Sequence, residues 1–344
     1  MRVLLIKLSS MGDIIHTLPA ITDAVKANPA LRFTWVVEDA FQEIPRWHTA
    51  VEEVITLPLR KRNWPQIWRA LRQIRATNYD LVIDAQGLLK SAIIAKYART
   101  KRSAGFDWQS AREALASIFY KHKYAVEREQ HAVDRLRQLF AQIFNYQITD
   151  GLDYGIAWQG LTHGKTNNKP YLVFLHGTTW ASKHWPDEYW VQLANLVAEH
   201  GFNVQVTWAN APQKARAQML AQRCANVIML PHLTLQQALN VLQHAHGVVA
   251  VDTGFAHLSA ALDKPIVAIY GPTPVLKSGA KGNYSINLAA QFACAPCGMR
   301  ECTYKGVAAV SPACFQRITP AMVWQKLVQL LQKHGQFATR ELVY

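Results

Sequence analysis

Short runs of apolar and β-branched residues alternate along the chain with longer segments that have the apolar spacing of helices. In the first half these runs are RVLLIK, FTWVV, EVITL and DLVIDA. In the second half they are YLVFL, VQVTW, VIML, GVVAV and PIVAIYG. Strands separated by helix-sized intervals pair in parallel through right-handed crossovers. The pattern therefore predicts an α/β protein built on parallel sheets.

The chain length and one polar stretch predict two domains. With 344 residues, half of them hydrophobic, the chain can bury two cores of ordinary size. The stretch QGLTHGKTNNKP separates the two series of strands and is the best candidate for a linker. We predict two Rossmann-like, doubly wound domains that face a central cleft. The predicted boundaries are 1–158, a linker over 159–170, 171–319, and a final helix with a tail over 320–344.

The charge balance favours anionic partners. Lys and Arg outnumber Asp and Glu by 37 to 23, a net charge of +14, which suits nucleic acid, anionic lipid or a phosphorylated substrate. No recognisable nucleic-acid motif accompanies the charge, so nucleic acid is not an expected partner. The N-terminal apolar run is too short for a signal peptide, and no run reaches the length of a membrane span. We therefore expect a cytoplasmic protein.

The loop LSSMGDIIHTLP follows the first predicted strand. Pro19 is tolerated only in the first turn of a helix, so we predict a helix that begins near Thr17, with Thr17 as its cap. Residues 9–16 would then form a loop in which Gly12 allows a sharp turn and Asp13 projects into the cleft. A carboxylate in that place can act as a general base. The alternative is that Asp13 only caps a helix.

The segment VAVDTGFAHLSAAL has the features of an anion site. A strand ends before Asp252 and Thr253, and Gly254 begins a helix whose N–H groups can bind a phosphate. Asp252 can accept hydrogen bonds from a hydroxylated ligand, or it can cap the helix. His257 lies in the first turn and is either a ligand contact or a packed side chain.

The segment HGTTWASKHWP has a second set of phosphate-binding groups. The hydroxyls of Thr178 and Thr179 and the ammonium of Lys183 can hold a diphosphate as charge develops on it. The alternative for Lys183 is a solvated surface position. The chain has no GxGxxG with a downstream acid, no Walker loop, no HExxH, no GxSxG and no metal-binding Asp-X-Asp. Any diphosphate would therefore be bound without a metal.

Six segments together resemble the lipopolysaccharide heptosyltransferases of glycosyltransferase family 9. They are KLSSMGDIIHTLPA, VIDAQGLLKSA, DWQSARE, HGTTWASKHWP, VDTGFAHLSAALDKP and YGPT, and they run from Lys7 to Thr273. The SSMGD form resembles the type I members of that family. The resemblance implies a GT-B fold and transfer of L-glycero-D-manno-heptose from ADP-heptose to Kdo of Kdo-lipid A in inner-core biosynthesis. It also implies inversion at the sugar, and neither a metal nor a cofactor for catalysis.

The resemblance also implies roles for individual residues. Asp13 matches the catalytic base, and Ser10, Gly12 and His16 beside it are expected to contact the acceptor. After TWANAP the family pattern has an acid that binds the nucleotide's ribose, whereas this chain has Gln213. We place Gln213 in the donor site for that reason. The other residues matched to the ADP-heptose site are Thr178, Thr179, Lys183, Asp252, Thr253, Gly254 and His257.

The segment LRKRNWPQIWRALRQIRA is both basic and aromatic. The residues at helical spacing are Trp64, Ile67, Trp68, Leu71 and Ile74. Such a composition suits a membrane surface or the anionic groups of Kdo-lipid A, and we expect Arg60, Lys61 and Arg62 to bind the acceptor. The alternative is an ordinary helix with a solvated charged side. We expect the protein to associate peripherally with the cytoplasmic face of the inner membrane.

Four of the five cysteines cluster near the C-terminal end of the second predicted domain. They are Cys294, Cys297, Cys302 and Cys314. Four thiolates in one loop can bind zinc or iron tetrahedrally, and the C-x2-C spacing suits such a site. Free thiols are the alternative. A metal here would have a structural role, because the cluster is not part of the transfer chemistry.

Two further classes of function remain open from the sequence. The first is another sugar-nucleotide enzyme of similar two-domain form, either a type II heptosyltransferase or an epimerase. The second is a non-catalytic protein that binds anionic ligands. An epimerase would convert the nucleotide sugar alone, whereas a transferase needs an acceptor.

Overall fold

The computed structural model describes residues 1–157 and 169–336 of the chain. The chain divides into two compact units, Met1–Trp158 and Gln159–Tyr344. The predicted linker over 159–170 lies outside the described residues except for its last two positions, and the predicted domain boundaries stay a prediction. No helix in the described ranges is long and apolar enough to cross a bilayer.

Parallel strands form the main sheet of the first unit. The strands of this unit are β1 (Arg2–Ile6), β2 (Arg32–Val37), β3 (Val51–Thr56), β4 (Asn78–Tyr79), β5 (Leu81–Asp84), β6 (Arg99–Thr100), β7 (Ser103–Phe106) and β8 (His122–Tyr124). The main sheet has the order β3-β2-β1-β5-β7-β8 with every neighbouring pair parallel, and β4 pairs with β6 separately. The central strands are buried because continuous apolar runs suit a sheet covered on both faces.

Helices cover both faces of this sheet. They are α1 (Met11–Ile15), α2 (Leu18–Ala27), α3 (Glu43–Arg46), α4 (Trp64–Ala76), α5 (Leu89–Tyr97) and α6 (Ala132–Phe144), with 3₁₀ helices over Asp39–Phe41 and Ala114–Phe119. On one face, Ile67 of α4 and Ala92 of α5 share a core cluster with Leu4 of β1. On the other, Phe140 of α6 stacks on Phe33 of β2, with 6.3 Å between ring centroids.

The second unit repeats this architecture. Its strands are β9 (Tyr171–Leu175), β10 (Asn203–Val206), β11 (Val227–Met229), β12 (Gly247–Val251), β13 (Ile266–Tyr270) and β14 (Ser285–Ala289). They form one parallel sheet in the order β11-β10-β9-β12-β13-β14. The helices are α7 (Asp187–Glu199), α8 (Ala211–Arg223), α9 (Leu235–His244), α10 (Gly254–Ala261), α11 (Val275–Ser278) and α12 (Pro320–Lys333), with 3₁₀ helices over Ala181–Lys183 and Ala313–Arg317. Trp185, Trp190 and Phe174 pack together in its core.

The apolar runs of the sequence all form strands. The four runs of the first half are β1, β2, β3 and β5, and the five of the second half are β9 to β13. The final helix, predicted to lie with a tail within 320–344, is α12, which begins at Pro320 and ends at Lys333. The expectation that Gly254 begins a helix is also confirmed. The strands β7, β8 and β14 and the β4–β6 pair were not predicted.

The strand order identifies the loops that open a binding crevice. In each main sheet the first strand of the unit lies in the middle, and the order of strands reverses between β1 and β5 and between β9 and β12. Ligands of open α/β sheets bind outside the carboxyl ends of the two strands at such a reversal. The segments SSMGD and AQG follow β1 and β5, and HGTTWASKHWP and DTG follow β9 and β12. The candidate loops of each unit therefore lie at the reversal of strand order in its sheet, where ligands of such sheets bind.

Candidate active site

Asp13 lies on a short helix and not in a loop, so the prediction for residues 9–16 is wrong. Helix α1 begins at Met11, and both the backbone N–H and the hydroxyl of Ser10 donate to Oδ2 of Asp13, at 3.0 and 3.1 Å. These bonds supply partners at the start of the helix, which stabilises one turn before Pro19. Thr17 precedes α2 as predicted, but its hydroxyl donates to the Asp13 carbonyl at 2.9 Å and does not cap α2.

A buried lysine, Lys7, interacts electrostatically with Asp13. The ammonium of Lys7, directly after β1, donates to the Ala85 carbonyl at 3.0 Å. Burial lowers the pKa of Lys7, and the negative charges of Asp13 and Asp84 oppose that shift. The first crevice thus contains a buried cation whose charge interacts with both of these carboxylates.

Asp84, at the end of β5, holds the second loop of this crevice in place. Its carboxylate accepts from the hydroxyls of Ser91 and Tyr120, at 2.8 and 2.5 Å, and from the backbone N–H of Gln86 at 2.8 Å. Burial raises the pKa of Asp84, and these hydrogen bonds oppose that shift. The side chain of Gln86 accepts in turn from the N–H of Leu8, at 3.0 Å. The two loops of the first crevice are thus joined directly.

The other residues predicted near Asp13 differ in their accessibility. Ser10 is exposed, whereas Gly12 is buried in α1. His16 is buried, and its ring lies edge-on to that of His131, with 5.3 Å between centroids. Ser10 and the half-buried Asp13 are therefore the groups of this set that a ligand can reach most directly.

The basic residues before α4 are partly neutralised by carboxylates. Nε of Arg60 lies 2.6 Å from Oε2 of the buried Glu38, and Nζ of Lys61 lies 2.6 Å from Oδ2 of Asp39. Arg62 adopts a left-handed backbone conformation at the end of this turn. All three cations remain exposed, so they can still meet an anionic ligand.

In the second unit, the structure brings three predicted donor residues together. Nζ of Lys183 lies 2.7 Å from Oδ2 of Asp252, and both side chains are largely buried. The hydroxyl of Thr178 donates to the Asp252 carbonyl at 3.0 Å. The hydroxyl of Thr273 donates to Oδ2 of Asp252 at 2.6 Å. Asp252 therefore does not cap α10, and Thr273 of the YGPT segment is a member of the site that sequence reasoning did not assign.

The remaining predicted donor residues lie around this group. Thr253 is extended and immediately precedes α10, whose first residue is Gly254. His257 is buried in the first turn of that helix. Thr179 is exposed beside Thr178. A helix that starts at the carboxyl edge of the sheet directs its N–H groups and positive end towards the crevice, which favours an anion there.

Gln213 and Thr253 line one cavity of the second unit. Its apolar walls include Leu175, Trp208 and Phe255. The Gln213 side chain accepts from the Ala209 N–H at 2.9 Å. A Cβ on Gly177 would lie 2.6 Å from the Gln213 amide carbon, so a larger residue at 177 would displace the Gln213 side chain from its present position. Apolar walls with one amide suit a flat heterocyclic base.

The turn that contains Lys183 is hydrogen-bonded to a segment that is distant in sequence, at residues 299 and 300. The backbone N–H of the buried Ser182 donates to the Arg300 carbonyl at 3.0 Å, and its hydroxyl donates to the Met299 carbonyl at 2.6 Å. The Lys183 ammonium and the Arg300 guanidinium both lie over the Trp180 ring, at 4.4 and 5.7 Å from its centroid. Sequence reasoning missed these contacts because no local pattern links positions 117 residues apart.

If this turn belongs to the donor site that the sequence predicts, we expect Ser182→Ala to weaken binding of ADP, part of the predicted donor, about 5-fold, which corresponds to one ordinary hydrogen bond of about 1 kcal/mol. The substitution removes the bond to Met299. The Lys183 turn should then be held less firmly, although its backbone bond to Arg300 remains. Calorimetric titration with ADP would measure the change.

Ser285→Ala is the matched control for this prediction. Ser285 is also a serine of the second unit whose hydroxyl donates to a carbonyl, that of Gly282, at 2.9 Å. It makes that bond within its own turn, so its loss should leave ADP affinity unchanged. Equal weakening in both variants would show that Ser182 has no specific role in the donor site.

The clustered cysteines flank the segment that is hydrogen-bonded to Ser182. All four line one cavity of about 50 Å³ together with Ser182 and Pro272. Burial raises the pKa of the Cys314 thiol to about 11, and the other three cysteines add to that shift. Within the described residues, no group of three or more His, Cys, Asp or Glu has positions suited to a metal ion. The predicted metal site is thus not formed in this arrangement of the thiols.

Comparisons with known proteins agree on one family. The model of glycosyltransferase family 9 (heptosyltransferase) matches residues 67–308. The chain is 46% identical to lipopolysaccharide heptosyltransferase 1 of Pseudomonas aeruginosa over 349 residues, which covers 96% of this chain and 98% of the relative. It is also 46% identical to the Escherichia coli K12 protein of the same name over 299 residues, 83% of this chain and 92% of the relative.

A solved structure supports the same assignment. E. coli heptosyltransferase WaaC with ADP has a TM-score of 0.84 and 40% identity, over 96% of this chain and 100% of that one. This likeness confirms the predicted GT-B type of fold, with two parallel-sheet α/β domains. The chain therefore belongs to glycosyltransferase family 9, the heptosyltransferases.

Proposed function

We propose that the protein transfers L-glycero-D-manno-heptose from ADP-heptose to Kdo of Kdo-lipid A, with inversion and without a metal in the reaction. The observation that carries this proposal is the group formed by Lys183, Asp252 and Thr178 beside the cavity of Gln213 and Thr253. It combines a cation, hydroxyls and an apolar cavity in the unit whose crevice suits a nucleotide. The relatives with this family's fold are named as heptosyltransferases.

In this proposal the second unit binds the donor. The adenine lies against the apolar walls around Trp208, and Gln213 contacts the nucleotide in place of the family's acid. The diphosphate meets the Lys183 ammonium, the hydroxyls of Thr178 and Thr179, and the N-terminus of α10. Negative charge grows on the diphosphate as the glycosidic bond breaks, and a fixed ammonium stabilises that charge without a metal.

Asp13 is proposed as the general base. The acceptor hydroxyl oxygen forms a bond to the anomeric carbon while the bond between that carbon and the diphosphate oxygen breaks. The hydroxyl proton passes to Asp13, and ADP leaves with the bonding electrons. The two Ser10 hydrogen bonds fall on Oδ2, so we assign proton uptake to Oδ1. One displacement of this kind inverts the anomeric centre.

Incubation with ADP-heptose and Kdo-lipid A would test the proposed function. We expect mass spectrometry to find one added heptose and an equal amount of free ADP. Parallel reactions without acceptor, and with an acceptor that already has the first heptose, distinguish an epimerase and a type II enzyme. Conversion of ADP-heptose without acceptor, or transfer only to the heptose-bearing acceptor, would contradict the proposal.

We expect replacement of Arg60, Lys61 and Arg62 by alanine to raise the acceptor KM at least about tenfold and to leave ADP affinity unchanged. Each exposed cation contributes attraction for the carboxylates and phosphates of the acceptor. Initial rates at varied acceptor concentration, with calorimetric titration of ADP, would measure both quantities. Equal loss of both would remove these residues from the acceptor site.

A matched control removes three other exposed cations of the first unit, so that the net charge changes equally. Its substitutions are Lys26→Ala, Arg32→Ala and Arg46→Ala. We expect a much smaller change in acceptor KM, because these positions lie outside the proposed acceptor site. An equal change would mean that net charge alone attracts the acceptor.

We also propose that the cysteine cavity binds zinc or iron in a structural role, with the thiols approaching one another more closely than in the described arrangement. The single cavity shared by four thiols supports this proposal. Metal analysis of protein purified without chelator should find about one ion per chain, and replacement of Cys294 and Cys297 by serine should abolish it. Metal-free protein with four titratable thiols would contradict it. No transfer step depends on this ion.

A further inference from the structure

Three surface elements of the first unit form one layer on the same face of the sheet. They are α4, α5 and the 3₁₀ helix Ala114–Phe119. Ile74 of α4, Ala95 of α5 and Ala116 of the 3₁₀ helix belong to the same core cluster. Helix α5 contacts both of the other elements. Their inner sides therefore pack on one core, and their outer sides face away from it.

That outer surface is rich in large apolar side chains. Trp64 and Trp68 of α4 are 62% and 57% exposed, and Ile93 of α5 is 56% exposed. Leu115 and Ile118 of the 3₁₀ helix are 51% and 62% exposed. The helical spacing places both tryptophans on the same stripe as Ile67, but only Ile67 is buried. Several exposed apolar side chains on one layer mark an interaction surface.

The charges on this layer have one sign. Helices α4 and α5 and the 3₁₀ helix contain no Asp or Glu, and their exposed cations are Arg69, Arg72, Arg75, Lys90 and Lys96. Pro65, Trp68, Arg69 and Arg72 line a shallow concavity on α4. The neighbouring Glu113 is engaged, since its carboxylate accepts from the Leu89 N–H at 2.6 Å.

We propose that the outer face of this layer docks on an anionic lipid bilayer. Tryptophan and aliphatic side chains enter the interface of a bilayer while Lys and Arg bind its headgroups. Cations without any carboxylate on the same elements complement a uniformly anionic surface. The inference rests on the proposed function, because a lipid-linked acceptor lies in such a bilayer. It extends the expected basic segment to α5 and the 3₁₀ helix, which have no assigned role in transfer.

Vesicle flotation with the full chain tests this inference. We expect binding to vesicles of equal parts phosphatidylcholine and phosphatidylglycerol, weaker binding at high salt, and little binding to phosphatidylcholine alone. The combined variant Ile93→Ser/Leu115→Ser/Ile118→Ser should bind the anionic vesicles at least about tenfold more weakly. The control Ile228→Ser/Leu276→Ser/Val307→Ser removes three exposed apolar side chains from the second unit and should bind as the parent does.

Two further readouts separate this inference from the proposed function. With Kdo-lipid A dispersed in detergent, the layer variant should transfer heptose at the parent's rate, whereas with acceptor in anionic vesicles its rate should fall. A parent protein that floats but transfers no heptose would contradict the proposed function and leave docking intact. Parent-like flotation of the layer variant would overturn the inference. So would sedimentation that shows a dimer in the parent and a monomer in the layer variant.

Discussion

Asp13→Asn should lower turnover about 10²- to 10⁴-fold and leave ADP-heptose affinity unchanged. An asparagine oxygen can still accept the Ser10 N–H bond, so the start of α1 is preserved. The amide cannot take up a proton, however, and the attacking hydroxyl would keep its proton until late in the reaction. Turnover with saturating donor and acceptor, together with calorimetric titration of the donor, would separate the two quantities.

The control for this substitution is Asp80→Asn. Asp80 is an exposed carboxylate of the first unit, and like Asp13 it accepts a backbone N–H bond, from Arg2 at 2.7 Å. We expect turnover within a factor of about two of the parent, because surface substitutions change little. Full turnover by Asp13→Asn would remove this carboxylate from the mechanism. A parallel loss of donor affinity would instead indicate a distorted protein.

Lys183→Ala should lower turnover about 10²- to 10³-fold, the usual effect of removing one fixed group that stabilises developing negative charge. Donor affinity should fall as well, since in the proposed mechanism the ammonium also binds the diphosphate before the bond breaks. The substitution additionally leaves the largely buried Asp252 without its cationic partner. Turnover and donor affinity must therefore be measured beside the free energy of unfolding.

A double variant distinguishes two roles of Lys183, binding of the diphosphate and neutralisation of the Asp252 carboxylate. Lys183→Ala/Asp252→Asn removes the unpaired carboxylate and should recover stability but not turnover. Recovery of turnover would show that Lys183 serves only to neutralise Asp252. Lys326→Ala removes one positive charge from α12 of the same unit, away from the proposed donor site, and should behave as the parent in every assay.

Continuous apolar runs made most of the two sheets predictable. Central parallel strands are buried on both faces, so RVLLIK and GVVAV indicate strands without tertiary information. The unpredicted strands lack this signal. Strand β7 has the sequence SAGF, and its glycine lies against a ring, since a Cβ on Gly105 would lie 2.4 Å from Tyr120. Strand β8, HKY, lies at an edge of its sheet and is polar.

The candidate site was predictable where its functional side chains lie within one short segment of the sequence. DTG and HGTTWASKHWP indicated that Asp252 and Lys183 serve one site, and the structure places them 2.7 Å apart. Contacts between distant segments gave no such signal. The bonds of Ser182 to the segment around Arg300 depend on how the chain folds back on itself.

Helix α4 shows that apolar spacing predicts a helix but not which of its apolar side chains are buried. Apolar residues at helical spacing predicted the helix correctly, but the same spacing does not say how far round the helix the core extends. The structure buries Ile67, Ala70 and Ile74, and leaves Trp64 and Trp68 outside. An amphiphilic residue such as tryptophan satisfies the pattern in either environment.

The repeated strand order has a consequence for how such an enzyme can evolve. Each unit has its own core and its own reversal of strand order, and the proposed acceptor and donor residues lie on separate stretches of the chain. Loops at one reversal can change without altering the packing of the other unit, because loops tolerate substitution better than cores. A lineage with this arrangement can acquire a new acceptor while retaining its donor, or the converse, through loop changes alone.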